Sequence, residues 1–174
     1  NSKMIGWCVG GVAVVALAVL AYIFFVQGPK TEKSITAFNN VEATAANDSL
    51  AAVEYKKVAD EFGSAVGGNL AALAAGQALY EEGKYEEAIK YLQQFDGNGD
   101  EAIQAGAICM IGDCYVNLKK YDEAISYFDK AIVAANGNGA LIPRYLDKKA
   151  TVFAAQKNYA EALKCYETIK KDYP

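Results

Sequence analysis

"YEEGKYEEAIKYL" at residues 80–92 returns with edits as "YVNLKKYDEAISYF" at 115–128 and as "FAAQKNYAEALKCY" at 153–166. Aligned on the alanine of "YEEA", "YDEA" and "YAEA", the copies set Ala88, Ala124 and Ala162 apart by 36 and 38 residues. Before each copy lies a second stretch of helical apolar period, at 70–82, 103–118 and 145–156. The tight turns "EGKY", "LKKY" and "QKNY" join the two stretches of each unit. The pattern predicts pairs of helices stacked into an all-α solenoid. One such pair cannot bury its apolar face alone, whereas three or four stacked pairs can.

Upstream, "MIGWCVGGVAVVALAVLAYIFFV" from Met4 to Val26 contains no charged residue. At about 1.5 Å per residue it reaches roughly 34 Å as a helix, enough to cross a hydrocarbon core of about 30 Å. Trp7 and Tyr22 suit the two interfaces, and Pro29 comes just after the exit. We read residues 4–27 as a single transmembrane helix. A cleaved signal peptide is the competing reading, with Lys3 as n-region and Ala16-Leu17-Ala18 as cleavage site. The apolar run continues past that site through "VLAYIFFV", which argues against it. Gly6 and Gly10 form a small-xxx-small pattern that would let two membrane helices approach closely.

Residues 28–174 carry a net charge of −5, because Lys3 is the one charged residue before them. Their lysines are interleaved with carboxylates, with no basic stripe to track phosphates, so nucleic acid is not expected as a partner. Cys8 lies in the apolar run, and Cys109, Cys114 and Cys165 come after it. Cys109 and Cys114 stand about 140° apart around one helix, poor geometry for a bridge. They read as small buried fillers.

Between anchor and repeats, residues 31–62 suggest a degenerate helical hairpin. Asp48 or Ser49 can cap its second helix, and Gly28-Pro29 should kink its junction with the anchor. "GSAVGG" (63–68) should break the hairpin from the first repeat.

Residues 69–174 resemble the tetratricopeptide repeat, in three units at 69–100, 105–136 and 143–174. Gly76, Leu79, Ala88 and Leu92 take the repeat's small and large positions in the first unit. Gly112, Tyr115, Ala124 and Phe128 take them in the second, and Ala150, Phe153, Ala162 and Tyr166 in the third. Pro174 falls where the repeat places its terminal proline. The resemblance implies a concave groove lined by the first helix of each pair. Carried over, its lining is Leu73, Gln77 and Tyr80, then Cys109, Asp113 and Val116, then Arg144, Asp147 and Thr151. Of the basic and amide residues with which some members clamp a partner's C-terminus, Arg144 and Lys148 agree and Leu73, Gln77 and Met110 do not. The implied groove is mixed apolar and acidic, suited to an extended segment or a partner helix.

Catalytic chemistry is not expected. The chain has no histidine, hence no Ser-His or Cys-His couple, and no phosphate-loop spacing. No cofactor or metal site is expected either. "DGNGDE" (96–101) imitates half a calcium loop through Asp96, Asn98 and Asp100, but Glu101 stands where the turn glycine belongs and Ala107 where the bidentate glutamate belongs.

Anchor, degenerate hairpin and three repeats together resemble the YfgM-like proteins, ancillary to the Sec translocon, in their Bacteroidetes form. That resemblance implies a scaffold in the bacterial inner membrane, its repeats in the periplasm, handing secreted chains to periplasmic chaperones. The alternatives are a cytosol-facing organelle import receptor and a homo-oligomeric structural membrane protein joined through Gly6 and Gly10. Flanking charges barely separate the orientations, with Lys3 on one side and Lys30 and Lys33 on the other.

Overall fold

The structure, a computed structural model, describes residues 14–45 and 48–173. The first ten positions of the expected membrane span, the Gly6–Gly10 pair and Pro174 lie outside the described residues. Among those residues there are eight helices and no strand. They are α1 (Val14–Thr44), α2 (Asp48–Phe62), α3 (Val66–Glu81), α4 (Tyr85–Leu92), α5 (Glu101–Asn117), α6 (Tyr121–Ala134), α7 (Ile142–Ala155) and α8 (Tyr159–Asp172).

Helix α1 is long and apolar enough to cross a membrane, and its apolar window packs against nothing else in the structure. Val14, Leu17, Leu20, Phe25 and Val26 are all at least half exposed. Leaving such a continuous apolar surface in water costs about 25 cal/mol per Å².

At Gly28-Pro29, where a kink is expected, the helix is continuous. The junction is taken up by a π turn at Ile23–Gln27 in which the Gly28 amide donates to the Ile23 carbonyl. Pro29 has no amide hydrogen, and its ring would press on the carbonyl four residues back in a tight α turn. Widening the turn accommodates it without ending the helix. The first helix of the hairpin is thus the second half of α1.

That half packs against α2, where the Phe38 and Tyr55 rings sit 5.4 Å apart, and against α3. The stretch 63–68 is likewise not a simple breaker. Only residues 63–65 leave the helical state, and Gly67 and Gly68 are buried inside α3. A Cβ on Gly67 would stand 2.0 Å from the Ser34 carbonyl oxygen, and one on Gly68 would stand 2.5 Å from the Gly63 carbonyl oxygen. At Gly67 the bare backbone permits a backbone-to-backbone crossing of α1 and α3, and at Gly68 it permits the chain to turn tightly into α3.

Within the repeats the small residues sit where helices cross. Leu92 fills the space over Gly76 and Phe128 the space over Gly112, each close enough that a Cβ there would lie 2.6 Å from the larger side chain. Ala88, Ala124, Ala150 and Ala162 are buried. The third unit differs in its large residue. Ala150 carries a Cβ where Gly76 and Gly112 have none, and Tyr166 stays 45% exposed on the outermost helix.

The buried residues form a chain of interfaces, with one cluster running from α1 to α5 and another from α5 to α8. Loops between units are ordered by side chains. The Asn69 side-chain amide donates to the Asp96 carbonyl at 2.7 Å, and the Asp96 amide donates to Asn69 Oδ1 at 2.8 Å. Asn136 Nδ2 donates to Glu101 Oε1 at 2.8 Å. In "DGNGDE" the Asp100 carboxylate caps α5, accepting from the Ala102 and Ile103 amides, and Asp96 accepts from the Asn98 amide. Those oxygens hold the loop.

Candidate binding groove

The first helices of successive units, α1, α3, α5 and α7, line two hollows. The hollow nearer α1 encloses about 690 Å³. Its walls are Phe38, Val41 and Glu42 of α1, Tyr55 of α2, and Leu70, Leu73, Gln77 and Glu81 of α3. The second, about 290 Å³, is bounded by Gly106, Cys109, Met110 and Asp113 of α5 and by Arg144, Tyr145 and Lys148 of α7. Leu73, Tyr80 and Met110 pack on the same core cluster.

Between them runs a polar chain across three helices. Lys148 donates to both Asp113 oxygens, at 2.8 and 2.9 Å. Asn117 Nδ2 donates to the Asp113 carbonyl at 2.9 Å, and the Asn117 side chain also shares a hydrogen bond with the Tyr80 hydroxyl. Burial pushes the Asp113 carboxyl above its ordinary value, which Lys148 only partly offsets. Burial works against the charge on Lys148, yet the bonded Asp113 carboxylate holds that ammonium above its usual range. The pair locks α5 to α7 at the groove floor.

Of the nine residues expected to line the groove, Leu73, Gln77, Cys109, Asp113 and Arg144 bound the hollows, and Tyr80 joins them through Asn117. Three do not. Val116 is half-buried against the second core cluster. Asp147 and Thr151 are exposed, with the Thr151 hydroxyl donating to the Asp147 carbonyl within α7. The groove is also not uniformly apolar and acidic. Glu42 and Glu81 stand at one end, whereas Arg144 and the neutralised Asp113–Lys148 pair stand at the other. Sequence reasoning did not name Phe38, Val41, Glu42 and Tyr55. The spacing of Phe38 and Val41 on the otherwise polar second half of α1, with Ala45 just past its end, was the signal that marked that wall.

The cysteines at 109, 114 and 165 are buried and unbridged, and burial pushes the Cys109 and Cys114 thiols up to about 12. They are protonated fillers rather than nucleophiles. Among the described residues no group of three or more His, Cys, Asp or Glu side chains is placed to hold a metal ion.

Residues 58–131 match the family described as anaphase-promoting complex, cyclosome, subunit 3, and residues 145–174 match the tetratricopeptide repeat. No curated protein matches the chain. Among solved structures it is similar to the apo form of RapI, with 19% sequence identity and a TM-score of 0.62 over 92% of this chain. The chain spans 64% of the length of that protein, and the likeness is one of fold. The chain therefore carries tetratricopeptide-type repeats, whose stacked helices form a scaffold for protein–protein interaction.

Proposed function

We propose that the chain is a membrane-tethered scaffold whose repeats face the periplasm beside the Sec translocon, where they pass emerging chains to periplasmic chaperones. One observation carries the tethering: α1 runs unbroken from its apolar segment to the wall of the groove. Phe38 to Ala45 lie 12 to 19 residues beyond Val26, so at about 1.5 Å per residue the groove sits roughly 18–28 Å past the apolar run. A groove held there meets only clients near the membrane, and tethering raises their effective concentration without tight intrinsic binding. The Sec and periplasmic assignments draw their support from the similarity of the whole arrangement to YfgM-like proteins.

Two measurements test the proposal. A cysteine introduced at Asn138 should react in intact spheroplasts with a reagent that cannot cross the inner membrane. Protection until lysis would favour the cytosol-facing import receptor instead. A photo-crosslinker at position 77, in membranes holding a stalled secretory chain, should capture the translocon or that chain. Adducts with other copies of this protein alone would favour the homo-oligomeric structural reading and sink the Sec assignment.

A further inference from the structure

Charge along the groove is arranged end to end. At the α1–α3 end, Glu42 and Glu81 line the hollow and no basic side chain does. Neither glutamate belongs to any of the ion pairs among the described residues. At the α5–α7 end, Asp113 is neutralised by Lys148, so Arg144 leaves that hollow one positive charge. Arg144 likewise has no ion-pair partner among the described residues. Leu73 lines the first hollow and Met110 the second, and both pack on one apolar cluster.

We infer that the groove selects an extended polypeptide segment, apolar in its middle, basic at one end and acidic at the other. The basic end lies against Glu42 and Glu81 beside the membrane helix, and the acidic end against Arg144. The inference rests on the reading of the groove as a protein-binding surface and adds the chemistry and direction of the bound segment. The first hollow supplies two carboxylates over an apolar wall, the second one uncompensated guanidinium. A uniformly charged segment is repelled at one end, which is how such a surface rejects wrong partners.

The test uses the full chain in nanodiscs and three synthetic peptides with a common leucine-rich centre. One has lysines at one end and glutamates at the other, one has lysines at both ends and one has glutamates at both. The mixed peptide should bind at least tenfold more tightly than either uniform one at low ionic strength, with the gap closing at high salt. A photo-reactive group beside its lysines should label α1 or α3, and one beside its glutamates should label α7. In the triple variant Glu42→Lys, Glu81→Lys, Arg144→Glu the affinity should persist while the two labelling patterns exchange. These side chains are on the surface, and an unchanged circular dichroism melt would confirm that the variant folds. Equal binding of all three peptides, or labelling that does not exchange, would overturn the inference and leave the binding groove standing. Failure of every peptide to bind would remove the groove reading and the inference together.

Discussion

The Gly67 amide donates to Ser34 Oγ at 3.0 Å, and Ser34 Oγ in turn donates to the Thr31 carbonyl at 2.7 Å, at the buried crossing of α1 and α3. Ser34 is fully buried there. The crossing joins the helix that carries the apolar span to the first repeat, so that helix is part of the solenoid.

Replacing Gly67 with alanine should therefore loosen α1 from the repeats. The new Cβ meets the backbone of α1, which cannot turn aside, and overpacking of this kind costs about 1–3 kcal/mol. Hydrogen exchange in detergent should speed up at residues 30–44 and stay unchanged at 121–172. Equal protection in variant and parent would show that the crossing does not hold α1.

Glycines of α5 offer an internal comparison. Gly112→Ala presses on the buried Phe128 ring, and Ala124→Leu fills a fully buried site, so each should lower the unfolding free energy by about 1–3 kcal/mol. Gly106 has open space around its Cβ direction, so Gly106→Ala should stabilise by about 0.4–1 kcal/mol. Chemical denaturation separates the two signs. An Ala124→Leu protein as stable as the parent would refute the repeat register.

The turns between paired helices hold Gly83 at φ 76°, Lys119 at 60° and Lys157 at 61°. Left-handed backbone costs a side-chain-bearing residue about 1–2 kcal/mol, and glycine almost nothing. Lys119→Gly and Lys157→Gly should each raise the melting temperature, whereas Gly83→Ala should lower it. A fall in both lysine variants would mean that the lysine side chains hold those turns.

Burial, and then the hydrogen bond its hydroxyl donates to Asp60 at 3.0 Å, push the Tyr91 phenol from 10.0 up to about 12. The folded value is the higher one, so the protonated phenol's contribution to stability is complete below pH 10.0 and is lost as pH rises through about 12. The difference in unfolding free energy between the parent and Tyr91→Phe should be flat below pH 10.0 and shrink above it. A difference constant through that range would show that Tyr91 titrates normally.

The repeat register was legible because it is local. Leu92 and Phe128 lie over Gly76 and Gly112 by helical spacing and a short turn, so a period of 36 residues gives the pairing. The groove was legible only in part. Val116 is half-buried against the second core cluster, and Asp147 and Thr151 are exposed outside the two hollows, because equivalence of position does not fix which neighbouring backbone closes over a residue. The wall made by Phe38, Val41 and Tyr55 lay in helices whose repeat signature has eroded.

An all-helical stack of paired helices behind an apolar segment was written in the residue order, because 3.6-residue periodicity, small residues at crossings and turn residues act within a few positions of themselves. Three features emerged from tertiary packing alone. Gly67 and Gly68 hold close backbone approaches and not a break, and α1 passes Pro29 to become a wall of the groove. Tyr80, Asn117, Asp113 and Lys148 meet across three helices. Each depends on which distant backbone comes close, and packing between elements, with no fixed sequence spacing, sets that.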